Sequence, residues 1–176
     1  KTVWSEAKKD SCFETVARRE ISREPSTWIR KVPKKVFTTF DYFGAAPWYL
    51  HQANGAAFTE RAKIVLGSVE TIVCRLMLLA ALVVSARRAG PGVKWRVALA
   101  VLGACFACTE HGSIAYLALA VNLLLGEQSG WTLVTAAILI ETMLIHGVFF
   151  GGGRYGLICV PFVNAIAFIN GGKSED

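Results

Sequence analysis

Val69-Glu70-Thr71-Ile72-Val73-Cys74-Arg75-Leu76-Met77-Leu78 places a carboxylate and a guanidinium five residues apart inside an apolar run, 64–86, long enough to cross a bilayer. An Asp, Lys or Arg at the bilayer centre is disfavoured by about 2.5–3.5 kcal/mol on insertion scales. Ionisable residues in a span therefore face a bundle interior and serve a pathway, a partner or a cofactor. A near-copy follows 71 residues later: Ile140-Glu141-Thr142-Met143-Leu144-Ile145-His146-Gly147-Val148-Phe149. The glutamate, the threonine after it and a nitrogen base five residues on all return in register, which points to a duplicated helix with a duplicated task.

The rest of the composition agrees with a membrane setting. The 176 residues are 53% hydrophobic and 18% charged, with a mean hydropathy of +0.43. The net charge of +6 is diluted by carboxylates and adjoins apolar runs. It therefore suits anionic lipid or the acidic face of a neighbouring subunit, and nucleic acid is not an expected partner. Five cysteines, four of them in apolar runs, read as small packing residues and not as a disulfide framework.

Outward from the first span, residues 1–57 form a polar and interfacial N-terminal extension and 58–176 a transmembrane domain. Residues 1–35 carry ten basic and five acidic side chains, a basic arm with one helix expected over 5–22, broken by Pro25 and Pro33, and with Trp28 and Ile29 as a surface anchor. Residues 36–57 are aromatic but interrupted by Gly44, Pro47 and Asn54-Gly55, which predicts loop and short helix along an interface. Glu60, Arg61 and Lys63 mark the entry to the first span, and Arg87-Arg88-Ala89-Gly90-Pro91 its exit. Residues 97–125 predict one long tilted helix, because as a single helix they run about 43 Å whereas two halves would each be too short to cross. A tight loop, Gly126 to Gly130, precedes a third span at 131–150, which Gly151-Gly152-Gly153 ends. The last run, 157–169, contains Pro161 and Asn164 and predicts a short or half-inserted helix. The expected fold is thus all-α, an integral membrane helical bundle of three to four transmembrane helices. Its sidedness stays open, because both the arm and the first loop are basic.

Glu70 and Arg75 lie about 140° apart around a helix, too far to pair with each other. If the two copies cross as a pseudo-symmetric pair, Arg75 meets Glu141 and Glu70 meets His146, which neutralises charges that could not stand alone in lipid. His111, after Glu110, is a further intramembrane imidazole suited either to a metal-centred cofactor or to packing. Cys105, Cys108 and His111 share one helical face at three-residue steps and lack a fourth ligand for zinc. Gly151 to Gly156 lacks the Lys-Ser/Thr of a phosphate loop. No Ser–His–Asp or paired-carboxylate arrangement is present, so no enzymatic activity is expected.

A Glu followed five residues later by Arg, Leu and Met, matched by a second such helix, resembles the chlorophyll-binding helices of the light-harvesting superfamily. Phe40-Asp41-Tyr42-Phe43-Gly44-Ala45-Ala46 is similar to the Phe-Asp-Pro-Leu-Gly segment that precedes such a helix, and Phe58-Thr59-Glu60-Arg61-Ala62 to the approach in one-helix members. The likeness covers 40–90 and 134–150. Val73-Cys74 stands where the family has Asn-Gly or His-Gly, Met77 where it has Ala, and His146 where it has a second Arg. The resemblance implies Glu70 and Glu141 as ligands of chlorophyll magnesium, Arg75 as the compensating charge for Glu141, His146 as an alternative axial ligand, and carotenoid as a companion pigment. Glu141 to Phe150 is also similar to the pigment-binding helix of subunit L of photosystem I.

The expected function is that of an accessory, chlorophyll-binding membrane subunit of a photosystem or light-harvesting supercomplex in a plastid thylakoid, partnered by other membrane subunits and lipid. The alternative is an accessory subunit of a respiratory-chain complex in the mitochondrial inner membrane, with the charges and His111 serving packing, haem or quinone contact. A third is a small transporter with Glu70, Glu110 and Glu141 as a carboxylate relay.

Overall fold

The computed structural model describes residues 6–41, 44–87, 92–126, 129–149 and 153–168. Parts of the expected breaks at 88–91, 127–128 and 150–152, the Tyr42-Phe43 pair and the end of the 157–169 run lie outside them. The described residues are helical, with no strand among them. In chain order the helices are α1 (Glu6–Arg23), α2 (Pro25–Phe40), α3 (Ala45–Ala53), α4 (Glu60–Arg87), α5 (Val93–Ala107), α6 (Ser113–Leu125) and α7 (Gly130–Val148), then a single turn α8 (Gly153–Gly156), a 3₁₀ turn (Leu157–Cys159) and α9 (Val160–Phe168).

Among the described residues only α4 and α7 are long and apolar enough to cross a membrane; α6 and the Leu157–Phe168 stretch are apolar but shorter. The expected single helix over 97–125 is replaced by two, α5 and α6, which fold back on each other. The sequence itself ends α5: the Thr109 hydroxyl donates to Phe106 O at 2.9 Å and accepts from His111 N–H at 3.1 Å, turning the chain at a polar Thr-Glu-His-Gly run. Each half is too short to cross, and neither has to, because the hairpin returns to the end it started from. Its packing needs small residues. A Cβ on Gly103 would sit 3.0 Å from Ala118 Cβ of α6 and 3.1 Å from the Leu82 side-chain tip of α4, so α5 and α6 lie close together there and Leu82 fills the space over the glycine.

The core lies where these helices converge, with Leu78, Leu82, Tyr116, Leu119, Leu139 and Ile166 all sealed from solvent. α9 packs on α4, and α7 on α6. Ser129 and Thr132 form a reciprocal capping box that starts α7. At its other end Lys35 Nζ donates to Val148 O at 2.9 Å, a cation placed on the negative end of a helix.

The N-terminal part departs from expectation in two places. Pro25 starts α2 as a first-turn proline should, but Pro33 lies inside the helix, on its exposed side, and does not break it. Nor is 36–40 an interfacial loop. It is the last turn of α2, and Thr39 and Phe40 are fully buried, with the Phe40 ring 4.6 Å from that of Tyr116. Val32 and Val36 of the same helix approach Gly147 of α7. Trp28 is half-buried with the Lys35 ammonium 5.5 Å from its ring centroid. α3 is tied to the start of α4 through His51, whose Nδ1 lies 2.6 Å from Phe58 O and whose Nε2 lies 3.2 Å from the Glu60 carboxylate.

Candidate functional site

The middle of α4 faces the turn between α5 and α6, and Arg75 joins the two. Its Nη1 donates to Ala107 O at 2.7 Å, the last carbonyl of α5, and its Nη2 donates to Asp41 O at 3.0 Å, just past the end of α2. The final carbonyls of a helix have no partner within it and carry its negative end, so a guanidinium here answers both a hydrogen-bonding and an electrostatic demand. The Asp41 carboxylate stands 4.0 Å from Nη2. Gly112 makes the approach possible, since a Cβ there would fall 1.6 Å from Nη1.

This is a correction to the expected Arg75–Glu141 pair. Arg75 is held by backbone carbonyls and by Asp41, while Glu141 sits exposed on α7 with neither ion pair nor hydrogen bond among the described residues. The Glu70–His146 pair is absent as well. His146 stacks on Tyr155, with centroids 4.3 Å apart and an interplanar angle of 18°, and Glu70 is half-buried without an ion-pair partner among the described residues. The duplication visible in the sequence thus does not become a two-fold pair of helices exchanging charges. His111 is not in mid-span; it lies in the turn, with its ring 5.0 Å from that of Phe37. Glu110 is beside it, exposed.

Burial pushes the Asp41 carboxyl above its ordinary value; Arg75, His111 and the Gly112 N–H pull it back, and Glu110 adds to the rise. Asp41 Oδ1, His111 Nδ1 and Ser113 Oγ are buried without a hydrogen-bond partner. All three come from the turn or the segment touching it; a fourth such atom, Asn164 Oδ1, lies on α9. A groove of about 360 Å³ opens beside Arg75 between α4 and the end of α5. No cluster of three His, Cys, Asp or Glu able to hold a metal ion exists among the described residues, and Cys105, Cys108 and His111 do not converge as ligands.

A second buried arginine lies at the opposite end of the hairpin. Arg96, fully buried, donates from Nε to Asn122 Oδ1 at 3.1 Å and from Nη2 to Ser85 O, and Asn122 Nδ2 returns a bond to Arg96 O at 3.1 Å. The last turn of α4, the first of α5 and the last of α6 are thereby joined.

Asp41 and Arg96 were missed as structural centres. Asp41 had a signal, as the lone carboxylate in an otherwise aromatic and apolar stretch. Arg96 had none that separates it from the other basic residues of its loop.

Chlorophyll fits these residues in one respect and fails in another. Glu141 has the exposure an axial ligand needs, on an outward apolar stripe of Val134, Ala137, Ile145 and Val148, with the small Ala137 one turn away. It lacks the compensating guanidinium that the resemblance implies, because Arg75 is engaged elsewhere. No protein-family model, characterised protein or solved structure matches the chain.

Proposed function

We propose that the chain is an integral-membrane accessory subunit of a photosynthetic supercomplex in the thylakoid, doing no bond chemistry of its own. Glu141 carries the reading. An unpaired carboxylate at the centre of an outward apolar helix face is unfavourable in lipid alone, and it is relieved when a neighbour supplies a cation or a pigment the carboxylate can ligate. The membrane part is supported by inverted burial: only 28% of the most apolar window of α4 and 33% of that of α7 are buried, whereas the core helix of a water-soluble domain hides most of its apolar face. Trp131, 60% exposed at the start of α7, suits a headgroup layer.

With Arg75 occupied, the cation that would compensate Glu141 has to come from a neighbouring subunit. Pigment held at Glu141 is then shared at an interface and is lost when the subunit is isolated.

The test is fractionation followed by spectroscopy. The chain should stay in the pellet through an alkaline carbonate wash and migrate, after gentle solubilisation, in a large assembly containing chlorophyll. Glu141→Leu should reduce its incorporation into that assembly while leaving its own melting temperature unchanged. Release by carbonate would overturn the membrane reading. Haem absorption without chlorophyll in the assembly would overturn the photosynthetic one and favour the respiratory membrane.

A further inference from the structure

The groove beside Arg75 is lined by Thr71, Ile72, Leu76, Cys108 and Thr109 along with the guanidinium itself. Its volume of about 360 Å³ falls in the range of sites that hold one small molecule. The two threonine hydroxyls are already engaged, that of Thr71 donating to Gly67 O at 2.8 Å and that of Thr109 to Phe106 O at 2.9 Å. Arg75 is therefore the principal donor on this wall. A guanidinium has five N–H groups, and among the described residues those of Arg75 make two hydrogen bonds, to Ala107 O and Asp41 O.

Charge decides what kind of acceptor suits the remaining N–H groups. The Asp41 carboxylate at 4.0 Å already balances the guanidinium, and Glu110 in the adjoining turn adds a second negative charge. A phosphate or carboxylate would enter against that field; an uncharged carbonyl oxygen would not. The walls are otherwise apolar, and the rim residues Ile72 and Leu76, 57% and 54% exposed, open onto the same outward surface as the rest of α4. Asp41 Oδ1, His111 Nδ1 and Ser113 Oγ, buried without a hydrogen-bond partner, belong to the turn or the segment touching it and do not line the groove, so a ligand there meets the groove walls and Arg75 alone.

We propose that this groove binds the ring of a membrane-soluble quinone, a neutral molecule with carbonyl acceptors and an apolar tail, with the unengaged Arg75 N–H groups donating to a ring carbonyl and the tail leaving between Ile72 and Leu76. The proposal rests on the membrane part of the reading above and is independent of pigment at Glu141.

The experiment uses the full chain in nanodiscs of neutral phosphatidylcholine, with a fully substituted benzoquinone bearing a ten-carbon tail, which cannot add thiols. Cys108 lines the groove and Cys12, on α1, does not; both are exposed free thiols. Peptide-resolved alkylation by N-ethylmaleimide should slow about tenfold at Cys108 as quinone saturates the site, while Cys12 reacts at an unchanged rate. Ile72→Trp fills the groove from its exposed rim without touching the Arg75 bonds; it should keep the wild-type melting temperature and make Cys108 alkylation independent of quinone. Absence of protection, or equal protection in Ile72→Trp, would overturn the proposal. So would protection by phosphatidylglycerol in place of quinone, which would mark the groove as an anionic-headgroup site. Failure of the membrane reading shows separately, in the carbonate wash.

Discussion

Arg75 and Arg96 use one device to different ends. Each lays a guanidinium on the carbonyl end of a helix, Ala107 O of α5 in one case and Ser85 O of α4 in the other, and each is closely approached by a glycine. Arg96 is wholly enclosed and bonded reciprocally with Asn122, whereas the Arg75 side chain keeps 12% of its surface and borders a groove. A buried cation with every neighbour matched is a lock. The same cation beside unmatched polar atoms is a site. What separates them is depth and the surrounding polar accounting, not the residue type.

The largest test of that contrast is Arg96→Met. It strands Asn122 Oδ1 and the Ser85 carbonyl and should lower stability by about 3 kcal/mol in equilibrium unfolding in mild detergent; a loss below about 1 kcal/mol would mean that the three helix ends hold without their tie. Next come the two glycines. A Cβ on Gly126 would lie 2.6 Å from Arg96 Nη2, in a place with no room to yield, so Gly126→Ala should cost about 2 kcal/mol. Gly112→Ala makes the closer clash on paper, yet Arg75 can swing toward its groove. The expected cost is only about 1 kcal/mol, accompanied by loss of quinone protection at Cys108. Equal costs at the two glycines would erase the distinction between lock and site.

The smallest expected effect is on pH dependence. Burial holds the Asp41 carboxyl above its ordinary 3.8, so the folded chain binds that proton more tightly than the unfolded chain. Stability is then greatest with Asp41 protonated, declines as pH rises from 3.8 through the raised value, and levels above it. Asp41→Asn should flatten that slope in melting curves taken across the acid range. Arg75, His111 and Glu110 are the charged or titratable groups facing it, and a slope unchanged in Asp41→Asn would show that the dependence does not come from Asp41.

How far the sequence could be read follows the same division. α4 and α7 were legible because their apolar runs are long and free of proline, their few ionisable residues standing singly, and the ends of α7 because turn residues flank them. The α5–α6 hairpin was not, since apolar runs on both sides of Thr109-Glu110-His111-Gly112 look the same whether the chain continues or reverses. The partner of Arg75 was hidden for a different reason. The two hydrogen bonds of Arg75 go to backbone carbonyls, which no side-chain pattern reveals, and its carboxylate neighbour Asp41 stands 34 residues away at the end of another helix, while the repeated Glu-Thr pattern points to Glu141. The outward placement of Glu141 on α7 could not be foreseen from spacing alone.

The hairpin also bears on how such a chain would enter a bilayer. Helices of 15 and 13 residues fall short of the roughly 20 that a translocation channel releases as a free-standing span. The Arg96–Asn122–Ser85 tie and the Arg75–Ala107 bond form only when α4 is already in place. On the proposed membrane reading, the order of assembly is therefore set in advance: α4 integrates first, and 93–125 is taken in afterwards as a preformed pair drawn against it.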